Sequence, residues 1–260
     1  MKTIRLTDKS TIETMLRTNV YLHLYSLGDL DEFFWPRTTW YSGAGASQRD
    51  PVVLVYHGPQ LPTVLALSDD AGAMRDLVRS LRGDLPGRFY AHFTAGVAAA
   101  LERSHRLKSH GEQLKMALTN PERVSRYPLE GVESLGPADH EEVLDFYRRC
   151  YPGNWFDPRM LETGQYRGIR QLGRLASVAG IHVYSRTYRV AALGNIATTP
   201  THRHRGLARK VTAAVCRGLL PQIDHIGLNV KADNAPALAS YTALGFEPVA
   251  GYEELLVERW

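Results

Sequence analysis

Apolar positions change their period along this chain, and the changes mark its elements. Val143, Phe146, Tyr147 and Cys150 recur at three- and four-residue spacing, as do Leu207, Val211, Ala214 and Val215, so each set puts one apolar stripe on a helix. Between the two helices, segments 166–172, 176–184 and 188–197 are apolar without that period and read as three successive strands, parted by Gly173 and by a turn at 185–187. A further strand is expected at 226–230, then a short helix opened by Asp233-Asn234-Ala235-Pro236 and stopped by Gly245, then a last strand at 253–258. Asp139 and Glu142 have the spacing of a capping box before the first helix, and a second short helix is expected from Asp157-Pro158 to Gly164.

Upstream the pattern is also mixed. Segments 52–56 and 63–67 flank a turn containing Gly58, Pro59 and Pro62 and predict a hairpin, and Met74, Leu77, Val78 and Leu81 predict a helix ending at Gly83. From 119 to 137 periodicity fades and Asn120, Pro121, Pro128, Gly131, Gly136 and Pro137 accumulate, which predicts a linker with at most a short strand near Val132. The boundary is set near 128, giving domains 1–128 and 129–260.

Composition narrows the class. With 260 residues and 44% hydrophobic content, the chain can build two ordinary cores. Its +4 formal charge comes from 31 basic and 27 acidic residues that are interspersed, and the densest basic patch, 202–210, suits a phosphorylated ligand as well as a duplex, so nucleic acid is not the expected partner. No apolar run is long enough to cross a bilayer, and Asp8 and Glu13 interrupt any signal-peptide core, so a cytoplasmic protein without membrane attachment is expected. Cys150 and Cys216 fall on apolar helix positions and read as buried thiols; His202 and His204 lack Cys or carboxylate partners at metal-ligand spacing, so no metal is expected.

The chemistry concentrates where the third strand of the run meets the next helix. Arg203, Gly206 and Ala208 form an Arg-x-x-Gly-x-Ala loop there: Gly206 allows a turn without a Cβ, the first helical amides lack internal partners, and the helix dipole adds positive charge. A pyrophosphate meets all three conditions. A second motif follows, Asn234-x-x-Ala237-x-x-x-Tyr241-x-x-x-Gly245-Phe246, whose first three named positions share one helix face.

The pair of motifs resembles the GCN5-related N-acetyltransferase (GNAT) family, with the likeness running from about Val132 to Phe246. Tyr56-His57-Gly58-Pro59, the 85–90 segment, and His110-Gly111 with Leu114-Lys115-Met116 look like the region ahead of a glycine-N-acyltransferase-like, FR47-type domain. The resemblance implies an α/β acyl-CoA N-acyltransferase fold: a mixed, mostly antiparallel sheet flanked by helices, in tandem with a divergent amino-terminal copy. It also implies acetyl-CoA as acyl donor, with Arg203, His204, Arg205, Gly206, Leu207, Ala208 and Arg209 around the phosphates, Ile196, Ala197 and Thr198 along the pantetheine arm, and Asn234 and Ala237 on the next helix. Tyr241 would protonate the leaving thiolate. The carboxylate that many members carry before the loop is missing, since Ala192 and Leu193 stand there; His182, Glu162, Asp157 or a water chain remain candidates for the base. The implied reaction is direct attack by a small primary amine or amino acid in a ternary complex, and the alternative is a non-catalytic acyl-CoA sensor or scaffold.

Overall fold

A computed structural model describes residues 2–45, 47–58 and 61–260. The chain divides into two compact units: Met1–Lys115 with Val230–Asp233 and Pro248–Trp260, and Met116–Asn229 with Asn234–Glu247. Residue 128 lies within the second. The elements run β1 (Thr3–Leu6), α1 (Lys9–Leu16), α2 (Leu24–Gly28), β2 (Thr38–Gly43), β3 (Val53–Tyr56), β4 (Thr63–Ala66), α3 (Ala71–Leu81), β5 (Arg88–Phe93) and β6 (His105–Leu118). There follow β7 (Val132–Leu135), α4 (His140–Cys150), β8 (Tyr166–Gln171), β9 (Arg174–Ser185), β10 (Val190–Thr198), α5 (Leu207–Leu219), β11 (His225–Lys231), α6 (Ala235–Ala243) and β12 (Phe246–Arg259).

In the first unit β1 to β4 are joined antiparallel, β4 and β5 pair parallel with α3 as the crossover, and Glu253–Glu258 of β12 lies antiparallel along β5. The expected hairpin is β3–β4; Pro59 of its turn, and so the end of the Tyr56-His57-Gly58-Pro59 stretch, lies outside the described residues. The apolar stripe of α3, Met74, Leu77, Val78 and Leu81, is fully buried with Val53, Phe89 and Phe93, each side chain contributing about 1.5–3 kcal/mol by leaving water.

The second unit repeats the scheme. β7, β8, β9 and β10 are antiparallel neighbours, β10 and β11 pair parallel, and α5 makes the crossover, burying Val211, Ala214, Val215, Cys216 and Leu219. Each unit is thus an antiparallel run ending in one parallel pair, a mixed, mostly antiparallel sheet with helices. No described helix is long and apolar enough to cross a membrane.

Four local expectations are corrected. Residues Pro158–Thr163 form a 3-10 segment rather than an α-helix, although Asp157 caps its start and Gly164 closes its end as the sequence suggests. The capping box before α4 does not form: Asp139 Oδ2 accepts from the Gly136 amide, and Glu142 is drawn to Arg170 and the Leu175 amide. A partly buried arginine network outcompetes the local cap, because Arg170 binds Glu133, Asp139 and Glu142 together. Cys150, at the end of α4, is only half-buried. The final strand begins at Phe246, not 253.

Candidate active site

β10 and β11 start as a parallel pair and then part. Their register runs from Val190↔His225 to Leu193↔Leu228 and ends there, although β10 continues to Thr198. The cause is in β10 itself. Its register with β9 shifts between Ala192 and Leu193 and again between Gly194 and Ala197, so Asn195 and Ile196 form a bulge. Asn195 holds φ +55, a left-handed conformation that asparagine tolerates better than most residues.

Buried hydrogen bonds hold that conformation. The Tyr147 hydroxyl, from α4, donates to the Asn195 carbonyl at 2.6 Å. The Asn195 Nδ2 donates to the Tyr166 hydroxyl at 3.0 Å and to the Trp155 carbonyl at 3.3 Å. In a planar trans peptide the N–H points opposite to the C=O, so fixing the Asn195 carbonyl on Tyr147 turns the Ile196 N–H away from α4. The bulge therefore presents an oriented amide donor on a strand whose β11 side is open.

His182, on β9, closes the bulge from below. A Cβ at Gly194 would lie 2.3 Å from its ring, so only glycine admits the imidazole there. Its ring meets Trp155 edge to face with centroids 6.2 Å apart. Burial lowers the His182 pKa and its bond to Asn195 opposes that, leaving a neutral ring through the physiological range. It is a wall of the site, poorly suited to take a proton from an ammonium. Asp157 is engaged by Arg159 through backbone and guanidinium, and Glu162 is exposed on the 3-10 segment.

After Thr198 the chain turns through Pro200–His202, fixed by the Thr199 amide on the Ala176 carbonyl at 2.8 Å and the Thr199 hydroxyl with His202 Nδ1 at 2.8 Å. His204 and Gly206 follow at φ +60 and +76, and α5 begins at Leu207 with no side chain capping its first amides. Arg203, His204 and Arg205 are exposed, while Leu207, Ala208 and Arg209 are partly buried on the first turn. Donor amides, the positive helix end and guanidiniums thus converge one loop beyond the open edge formed by Ile196, Ala197 and Thr198.

On α6, Asn234 accepts from the Ala237 amide at 3.2 Å, so those two residues form the helix start. Tyr241 packs edge to face on Phe246 at 6.1 Å, and burial, with Tyr151 nearby, raises its pKa. Its phenol is therefore a firmly protonated donor. A glycine inside an apolar strand, Gly194, is a sequence sign of the bulge, but sequence reasoning misses Asn195, Tyr166 and Trp155 as its holders and reads Tyr147 only as an apolar helix position.

The equivalent place in the first unit is closed. At α3 the Asp70 carboxylate accepts from the Ala73 amide at 2.9 Å, occupying the helix start with a negative charge. The β4–β5 pair stays joined past its last register pair, with the Thr94 amide on the Ala66 carbonyl at 3.1 Å and the Ser68 amide on the Thr94 hydroxyl at 3.0 Å.

Residues 167–255, which contain the bulge, the loop and Tyr241, match the family of FR47-like proteins. That stretch is similar to FR47-like proteins. Solved structures share the fold around it. A putative GNAT-family acetyltransferase from Novosphingobium aromaticivorans is 23% identical over 83% of this chain and 90% of its own, with a TM-score of 0.61. A Drosophila protein is 14% identical, covers 98% of both chains and reaches a TM-score of 0.70. A tandem GNAT protein from the clavulanic acid biosynthesis pathway is 16% identical over 98% of this chain and 97% of its own, with a TM-score of 0.57. No curated protein matches the chain. The likeness to the Drosophila protein and to the tandem GNAT protein is one of fold and spans nearly the whole chain.

Proposed function

We propose that this chain is an N-acetyltransferase that takes an acetyl group from acetyl-CoA and passes it to a small primary amine by direct attack. The observation that carries the reading is the open edge of β10 running straight into the uncapped start of α5. The residues fit the donor. The amides from Arg203 to Ala208 would take the pyrophosphate, Arg203, Arg205 and Arg209 would supply charge to it and to the 3′-phosphate, and the β10 edge would pair with the pantetheine arm. The Ile196 amide would donate to the thioester oxygen, an effect worth about 3 kcal/mol in comparable acyl-transfer sites.

In the reaction a bond forms between the amine nitrogen and the carbonyl carbon, the carbon–sulfur bond breaks, and the proton lost by nitrogen ends on the thiol. Tyr241 would hydrogen-bond the departing sulfur. Reference values of about 10 for a phenol and about 8.5 for a thiol already make full transfer uphill, and burial widens the gap, so its contribution is donation rather than early protonation. Direct attack is favoured over a cysteine relay because burial pushes the Cys216 thiol up to about 12 and raises Cys150 as well. The first unit is read as a degenerate copy that has given up its own phosphate site. A CoA sensor is the second reading, resting on Ala192 and Leu193 where a carboxylate base would stand.

Release of free CoA in the presence of amines tests the reading. Tyr241→Phe is expected to lower turnover about a hundredfold with CoA affinity nearly unchanged; equal turnover removes the donor role, and binding without release by any amine leaves the sensor.

A further inference from the structure

The segment between α4 and the 3-10 turn, 151–157, is unusual in what it exposes. Tyr151 is 46% and Trp155 41% exposed, although rings of that size are ordinarily buried. Both stand beside the reacting groups. The Trp155 backbone carbonyl accepts from Asn195, its ring meets His182, and Tyr151 is close enough to Tyr241 to raise that phenol's pKa. The one charged group of the segment, Asp157, is held by Arg159 of the following turn, whose start it also caps. The neutral His182 and the aromatic rings offer an apolar, π-rich surface next to the bulge amide.

We infer that the acceptor is a primary amine bearing an aromatic ring, which stacks on Trp155 and Tyr151 while its nitrogen reaches the carbon held at Ile196. This rests on the acetyltransferase reading and names its substrate class: an arylalkylamine-like acceptor rather than an amino acid. Trp155 is then the residue that selects the acceptor, with Tyr151 beside it.

The test compares phenethylamine and glycine as acceptors, following CoA release, with acetyl-CoA binding measured separately on the same samples. Wild type is expected to use phenethylamine with kcat/KM at least about tenfold above glycine, a single ring contact being worth that order. Trp155→Ala should bring that ratio near one by raising KM for phenethylamine, Trp155→Phe should recover most of it, and Phe33→Ala, which removes an equally exposed ring from the first unit, should leave it unchanged. Glycine equal to or better than phenethylamine overturns the inference, as does a Trp155→Ala variant that lowers both equally. Acetyl-CoA binding with no transfer to either amine overturns it while sparing the donor site; failure to bind acetyl-CoA overturns the underlying reading too.

Discussion

At the scale of single residues, Asn195 organises the site, because its carbonyl, its side chain and its positive φ are each fixed by a different neighbour. Gly194 is the partner change that makes room. Gly194→Ala would drive a Cβ into the His182 ring, and overpacking of this kind costs about 1–3 kcal/mol. Combining it with His182→Ala should recover most of that loss in denaturant unfolding; strictly additive losses would show that the ring is not what excludes the side chain. The neutral state of His182 also sets the pH dependence. Since burial lowers its pKa, it does not change charge across the neutral range, and kcat/KM should climb with pH along the acceptor amine's own titration. A plateau above about pH 6.5, the ordinary histidine value, would instead assign it the base role. What holds the bulge in place was not legible. Tyr147 counted in the sequence only as an apolar helix position, because a buried hydroxyl and a buried ring face give the same period, and the bond to Asn195 links residues 48 apart.

At the scale of elements, α3 and α5 are the same crossover with opposite starts. Asp70→Ala removes a side-chain cap and should cost about 1 kcal/mol of stability while leaving the response to CoA intact. Loss of CoA binding in that variant would move the phosphate site to the first unit. The elements themselves were well marked. Periodicity gave α5 and the three strands of the 166–198 region to within a few residues, since their apolar faces are buried locally against one another. It failed where a distant partner decides, since Glu142 went to Arg170 rather than to its cap, and it missed the opening stretch of β12, 246–252.

At the scale of the whole molecule, the two units differ in what they bury. The first holds Lys115 almost fully buried, its Nζ over the rings of Tyr25 and Tyr252 at 5.1 and 5.2 Å, and burial lowers its pKa to about 7. Unfolded, the amine titrates near 10.4, so folding opposes its charge; the cost is full below pH 7 and fades as pH rises toward about 10.4. Wild type should therefore gain stability over that range relative to Lys115→Met, whereas parallel curves would mean the lysine stays charged. The second unit keeps its helix start open, and that difference is the centre of the account. Thermal unfolding of wild type and Gly206→Asp, with and without acetyl-CoA, tests it most directly. Aspartate tolerates the φ of +76 and sets a negative charge where Asp70 sets one in the first unit. Wild type should gain about 2.7 kcal/mol at a hundredfold excess over Kd, and the variant, folded but unresponsive, should gain almost none. An equal gain in both, or none in wild type, would contradict a phosphate site at α5.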